Sequence, residues 1–268
     1  MKSTSLKAYT IAYLIFLYAP IALLPLFAFN DSRVIAFPLS GFTTAWFGEM
    51  WADEQLFKAL KNSLIIALCT AVLATTLGVF AARASTRYRF PGKAGILGLI
   101  MLPLVLPEMI VSMSILVILL AIGIPLSLFT IILGHVLLCT PFAVAILTSA
   151  FQSLDRSLEE AACDLGETPL STFRLIILPL VMPGIISSLL ISFTISIDEF
   201  IVAYFLGGNQ TVLSVYIFGQ FRFPTRVPAI MSLGTVLVGL SIVLLTIAEY
   251  FRRRGIARAG GKDTGGFL

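Results

Sequence analysis

The sequence predicts an all-α integral membrane protein of six transmembrane helices, and three observations carry that prediction. Of 268 residues, 58% are hydrophobic and only 12% are charged, about half the charged share with which a soluble domain covers its surface. Stretches without Asp, Glu, Lys, Arg or His run over 8–30, 62–82, 175–197 and 227–248, each long enough for the ~20 residues of a helical crossing. These runs are continuous rather than alternating, which excludes a β-barrel. The same figures exclude a soluble globular domain, a disordered chain and a basic nucleic-acid-binding domain. The three cysteines, Cys69, Cys139 and Cys163, give neither a paired secreted framework nor a metal-ligand spacing.

A fifth apolar stretch, 94–154, holds only two ionisable side chains, Glu108 and His135. It is too long for one helix, and Gly123-Ile124-Pro125 marks the turn where it folds back. The spans are therefore placed at about 9–29, 62–83, 95–121, 128–150, 183–206 and 228–250, within one transmembrane domain over 1–268. Lys and Arg gather on the cytoplasmic side of short loops. With the N-terminus inside, 13 of the 18 cations are cytoplasmic: Lys2, Lys7, Arg83, Arg87, Arg89, Lys93, Arg156, Arg174, Arg252, Arg253, Arg254, Arg258 and Lys262. Only Arg33, Lys58, Lys61, Arg222 and Arg226 fall outside, so the orientation is N-in, C-in. The first span starts like a signal peptide, but it is too long and lacks a small-residue cleavage site before Asn30, so it reads as an uncleaved helix.

Between spans four and five, residues 151–182 form the longest cytoplasmic loop. Ser157 and Glu160 have the spacing of a capping box, and Leu158, Ala161, Ala162 and Leu165 give an apolar face. Gly166 suits the left-handed position that ends a helix, and Thr168-Pro169 suits the start of the next, which runs to Pro179. On local grounds alone the loop is either a stabilised hairpin on the bilayer or a functional element.

An ionisable group inside a span is costly and marks a cavity or a partner charge. Glu108, Asp198 and Glu199 are such groups. Along straight helices Glu108 lies roughly 20 Å beyond residue 95 and Asp198 roughly 21 Å beyond Gly184, so both reach similar depths in the outer half of the bilayer. Ser188, Ser192, Ser196 and Glu199 follow at helical spacing on one face, with Asp198 at its border. Pro103 and Pro107 break the helix next to Glu108 and expose carbonyls beside a cavity. Each acid has a plainer alternative, namely a protonated, snorkelling or subunit-bonding group. Carboxylates at one depth suit ammonium groups held by charge-assisted hydrogen bonds, with an aromatic ring such as Trp46 adding a cation–π contact. Trp46, Trp51 and Tyr204 also suit a membrane-interface belt, and His135 suits either a relay or a packed, hydrogen-bonded residue.

The residues of the loop go further than its periodicity. Glu160-Ala161-Ala162, Gly166 and the Ile176-x-Leu178-Pro179 ending resemble the EAA signature of ABC-importer permeases. The stretch FTISIDEFIVAYFLGG (193–208), the external GFTTAWF (41–47) and the basic RYRFPGK (87–93) are similar to those of the spermidine/putrescine permeases, specifically the second, shorter permease subunit. Glu199 stands where that group has the second Asp of an Asp-Asp pair. The resemblance implies the type I ABC importer permease fold. It also implies transport of polyamines or a similar small organic cation, with docking of an ATPase assigned to Glu160, Ala161, Ala162 and Gly166. Substrate-path residues would be Glu108, Asp198, Glu199, Ser196 and Trp46.

The implied partners are a homologous second permease, a cytoplasmic ATPase dimer that binds the ATP and Mg, a periplasmic solute-binding protein and the lipid bilayer. The chain has no phosphate-binding loop of its own, since Gly261-Lys262 continues as Asp263, and no HExxH or GxSxG motif. It therefore reads as a transport subunit without a catalytic site or metal. Other solutes of the same importer class (an opine, a betaine, an amino-acid derivative) are alternatives, as is a proton-coupled secondary transporter, although no inverted repeat between the halves is visible.

Overall fold

The computed structural model describes residues 2–258. Lys262 and the Gly261-Lys262-Asp263 segment lie outside the described residues, as do the side chains of Lys2, Arg252, Arg253, Arg254 and Arg258. Helices follow in the order α1 (Lys2–Ala28), α2 (Ala45–Trp51), α3 (Glu54–Arg87), α4 (Lys93–Met101), α5 (Glu108–Ala121), α6 (Leu128–Gln152), α7 (Ser157–Asp164), α8 (Pro169–Thr172), α9 (Leu178–Asp198), α10 (Ile201–Leu206), α11 (Leu213–Gln220) and α12 (Val227–Arg258). Short 3₁₀ turns occupy Leu102–Leu104 and Pro224–Arg226, and a π turn occupies Phe173–Ile177. Among the described residues no strand occurs, only an isolated antiparallel bridge between Asn30 and Phe42.

Among the described residues, five helical stretches are long and apolar enough to cross a membrane: Leu6–Ala28, Glu54–Arg87, Leu128–Gln152, Pro169–Asp198 and Pro224–Val243. The third expected span is a broken pair, Lys93–Leu104 and Glu108–Ala121, bent by 104°. Pro103 and Pro107 cause the break, since neither has an N–H to give the preceding turn. The equal-depth estimate for Glu108 assumed a straight helix and is corrected here: Glu108 is the first residue of α5, beyond the bend. The turn at Gly123 is where the sequence places it. Gly123 has φ +76°, and Ile124 N–H donates to the Leu119 carbonyl at 2.9 Å while Gly123 N–H donates to Leu120 at 3.2 Å, a Schellman ending.

Span five begins earlier and ends earlier than 183–206. α8, the π turn and α9 form one stretch over Pro169–Asp198, so the loop has no boundary at Pro179. The π turn lies immediately before Pro179, where proline cannot bond the preceding turn, and absorbs the register change. At the far end the helix stops at Asp198, because Glu199 turns extended (φ −66°, ψ 119°).

The chain divides into two compact units, Met1–Glu54 with Gly219–Leu268, and Gln55–Phe218. In the first, α1 and α12 pack together, and the segment after α1 folds around Asn30. The buried Asn30 accepts the Ser40 N–H on Oδ1 at 3.1 Å, and its carbonyl accepts the Trp46 indole N–H at 2.7 Å. In the second, Ile66, Val111, Ile131, Leu138, Val202 and Leu206 form one core cluster, and Ala82, Leu147, Phe151, Ile177 and Val181 another. Hydrocarbon supplies no driving force between apolar helices, so close backbone approach at small residues holds them together. A Cβ on Gly134 would lie 2.5 Å from Val202 Cγ1 and 2.8 Å from Leu206 Cδ1, and one on Gly184 would lie 2.6 Å from Ala150 Cβ.

Gly134→Ala is expected to lower stability by about 1–3 kcal/mol through overpacking, read as a lower Tm in detergent. Gly98→Ala, where an added Cβ meets nothing within 4 Å, leaves Tm unchanged or raises it.

Candidate functional site

In the second unit the broken span opens a cavity of about 680 Å³. Its wall takes Pro103, Leu104, Leu106, Pro107, Glu108 and Met109 from the break, Leu138 and Phe142 from α6, and Ile195 and Ile201 from either side of the interruption after α9. Two helix breaks thus meet at one cavity, and the expected exposure of backbone at Pro103 and Pro107 falls on its wall. The lining is apolar except for a single ionisable side chain, Glu108.

Glu199, half-buried, lies two residues before the lining residue Ile201. Its Oε1 accepts the Val202 N–H at 2.9 Å, capping α10, and its carbonyl accepts the Ser214 hydroxyl at 3.0 Å. Since the helix ends at Asp198, the spacing that put Glu199 on the serine face does not extend to it. Asp198, the last residue of α9, is exposed and is not among the cavity-lining residues.

The serine stripe faces neighbouring helices instead of a path. Ser188 shares a 3.0 Å hydrogen bond with Thr75 of α3, Ser192 accepts Cys139 Sγ–H on its carbonyl at 3.7 Å, and Ser196 bonds His135 Nδ1 at 2.7 Å. Ser188, Ser192 and Ser196 are all buried. His135 is therefore a packed, hydrogen-bonded residue, and Ser196 is its partner in the α6–α9 interface. Trp46 is buried in the first unit with its indole N–H satisfied by Asn30 and Arg33 stacked 5.6 Å from its ring centroid. It packs within that unit and is not among the residues lining the cavity. Tyr204, half exposed, joins an aromatic cluster with Phe200 and Phe218, whose rings lie 4.8 Å apart.

The loop is built much as its residues dictate. Glu167 N–H donates to the Ala162 carbonyl at 3.0 Å and Gly166 N–H to Cys163 at 2.9 Å, a Schellman ending that requires the left-handed Gly166, φ +86°. Thr168 Oγ1 accepts the Ser171 N–H at 3.2 Å to start α8, with Pro169 at its first position. The start of α7 differs from expectation. Ser157 is inside the helix, and the cap is Asp155, whose Oδ1 accepts the Ser157 N–H at 3.0 Å. Hydrogen bonds from the Ser157 backbone and side chain hold the Asp155 carboxyl below the usual range. Glu160, Ala161 and Gly166 face outward, with Leu165 85% and Leu170 77% exposed. Ala162 is 3% exposed and packs inward, so it seats the helix and does not face a partner.

Sequence reasoning missed the neighbours that hold this loop. Glu159, one residue before the expected glutamate, accepts Arg87 Nε at 2.6 Å and Arg83 Nη2 at 3.4 Å. Arg83 and Arg87 stand at i, i+4 on one face of α3, a spacing that was available in the sequence beyond their use as topology markers.

Comparison with known proteins bears on this arrangement. The profile of the family "Binding-protein-dependent transport system inner membrane component" matches residues 74–256. The putrescine transport system permease protein PotI of Escherichia coli (strain K12) is 39% identical over 247 residues, covering 89% of this chain and 87% of the relative. The spermidine/putrescine transport system permease protein PotC of the same strain is 33% identical over 239 residues, covering 89% and 90%. A bacterial alginate ABC transporter, solved in complex with an alginate pentasaccharide-bound periplasmic protein, shares the fold with a TM-score of 0.68 at 20% identity over 94% of this chain and 93% of that one.

Replacing Glu199 by Ala removes the cap of α10 and is expected to cost about 1 kcal/mol, seen as a lower Tm. Glu199→Gln keeps an accepting oxygen and retains most of that stability.

Proposed function

Because the chain belongs to the family of binding-protein-dependent transport system inner membrane components, we propose that Glu108, Asp198 and Glu199 mark the route of its solute and that residues 157–166 receive the stroke of an ATPase. The chain is a multi-pass inner-membrane permease subunit of an ABC importer for polyamines, not an enzyme. Its relatives PotI and PotC are putrescine and spermidine/putrescine permeases.

One observation carries the route. Glu108 stands on the wall of an apolar-lined cavity, Glu199 lies two residues before Ile201 of the same wall, and no Lys or Arg is among the lining residues. Two like charges in a low-dielectric setting are unfavourable unless a cation joins them. An alkyl diammonium solute supplies both what the carboxylates lack and an apolar stem for Leu104, Leu138 and Ile195. Each ammonium donates charge-assisted hydrogen bonds, while Glu199 keeps one oxygen on α10. Asp198, exposed at the end of α9, serves as an outer station.

The chain is oriented N-in, C-in and acts as one permease domain over 1–268. It pairs with a homologous permease, and a periplasmic solute-binding protein delivers the solute. ATP and Mg are bound by a dimeric ATPase, which docks on the exposed Glu160, Ala161 and Gly166 and the adjoining Leu165 and Leu170. Alternating access then opens the cavity to each side in turn.

Glu108→Gln with Glu199→Gln is expected to reduce polyamine uptake by about tenfold or more, since charge-assisted hydrogen bonds contribute about 1.5–3 kcal/mol each, with assembly intact. Uptake equal to that of the parent protein overturns the route. Orientation is read on a Cys69→Ser background, because Cys163 of α7 and Cys69 of α3 are exposed and Cys139 is buried. In membranes stripped of ATPase, a membrane-impermeant maleimide labels Cys163 in inside-out vesicles and leaves it unlabelled in right-side-out ones; the reverse pattern inverts the topology.

A further inference from the structure

We infer that α3 is a transmission rod, clamped at its C-terminal end to the coupling loop through Glu159 and at its N-terminal end to the segment that holds Glu199. The inference rests on the reading of residues 157–166 as the docking element of the ATPase.

The clamp at the C-terminal end is built from four contacts. Arg87 Nε donates to Glu159 Oε1 at 2.6 Å and Arg83 Nη2 to Oε2 at 3.4 Å. Arg87 Nη2 donates to the Leu154 carbonyl at 3.2 Å. In the opposite direction Arg156 Nη2 donates to the Thr86 carbonyl at 3.2 Å, one of the carbonyls that the end of a helix leaves without an intrahelical partner. Arg83 also lies 4.8 Å over the Phe173 ring, so α3 touches both limbs of the loop. Exposed ion pairs contribute little, but these side chains are only 10% (Arg87), 17% (Arg83) and 22% (Glu159) exposed. The arginine fork fixes direction as well as distance, so α7 cannot shift without pulling on the last two turns of α3.

At the other end, Asn62 Nδ2 donates to the Thr211 carbonyl at 2.9 Å, and Ser63 Oγ accepts the Leu213 N–H at 2.8 Å. Asn62 and Ser63 are buried. One residue further, the Ser214 hydroxyl donates to the Glu199 carbonyl at 3.0 Å. α3 is one continuous helix of 34 residues with no proline, and its stretch from Asn62 to Arg87, between the two clamps, spans roughly 37 Å at 1.5 Å per residue. The alternative route, along the chain from α7 into α9, passes a π turn, Pro179 and Pro183 and ends at Asp198, short of Glu199. A displacement delivered to α7 therefore reaches the Glu199 segment through α3, not through the helix that directly precedes Glu199.

The test uses the assembled transporter with its ATPase and binding protein in proteoliposomes, with putrescine as the probe. The readouts are putrescine imported per ATP hydrolysed and ATPase retained on purification. Glu159→Gln and Asn62→Leu, which break opposite clamps, are each expected to lower the import-to-hydrolysis ratio about tenfold, within the usual range for coupling between two sites, while the ATPase stays bound. Because both break one rod, the double variant falls no further than the worse single variant. Arg87→Lys keeps the charge but loses the fork, and is expected to cost about threefold; it decides the matter should Glu159→Gln fail to accumulate. A parent-like ratio in Glu159→Gln, loss of the ATPase with it, or losses that multiply in the double variant each overturn the rod. Gly166→Val strains the turn of the loop without touching the clamp. If it leaves the ATPase bound and active, the docking reading fails. If it releases the ATPase while Glu159→Gln keeps a parent-like ratio, the rod alone fails.

Discussion

In hydrocarbon no water bonds an exposed backbone N–H or C=O, so a helix can be interrupted only where protein or a polar cavity takes over those groups. This constraint organises the second unit. It contains two interruptions, Leu102–Pro107 before α5 and Glu199–Phe200 before α10, and one cavity is lined by residues of the first and by Ile195 and Ile201, which flank the second. The first is forced by two prolines. The second has no proline and is held by hydrogen bonds, with the Glu199 carboxylate capping α10 and the Glu199 carbonyl taking the Ser214 hydroxyl. At the second break a costly acid and a costly backbone interruption share one place, where the Glu199 carboxylate and the Val202 N–H each offset part of the other's desolvation.

The frame around those breaks has the opposite character. α3 and α6 are long and unbroken, although α6 carries Pro141, and they approach through small residues. A Cβ on Gly78 would sit 2.9 Å from Ala143 Cβ. The serines of α9 complete this frame. A hydroxyl that bonds Thr75 or His135 leaves no polar surface open to lipid, and in return fixes the rotation of α9 about its axis. A polar face on a membrane helix thus has two uses, lining a path or specifying a neighbour, and here it specifies the neighbour.

That distinction explains which parts were legible in the sequence. Six spans, the Gly123 turn, the Gly166 ending and the Thr168 cap follow from local chemistry, so the residues in question contain the whole cause. The bend of 104° does not, because prolines announce a break but its angle depends on what packs beyond it. Glu199 was assigned to the serine face by carrying a 3.6-residue period past the point where the helix stops. Trp46 read as an interfacial ring because its partner, the Asn30 carbonyl, is backbone and has no sequence signature. Ser157 lost the capping role to Asp155, since both are good caps two residues apart and only backbone geometry chooses between them.

The Glu159 clamp marks a further limit. Counted one at a time, Arg83 and Arg87 are two of many cytoplasmic cations, and their shared face on α3 acquires meaning only once α7 is folded against it. A permease of this family must make a cavity yield while the membrane remains sealed, which requires one part that bends and another that does not. Prolines, a π turn and a capped break concentrate bending along α4–α5 and α8–α10. The unbroken α3, tied by Arg87 at one end and Asn62 at the other, is the element against which that bending can be driven. A soft helix cannot deliver a displacement over the length of the bilayer, and a stiff one delivers it only if both ends are fastened. α3 satisfies both conditions with contacts seen among the described residues.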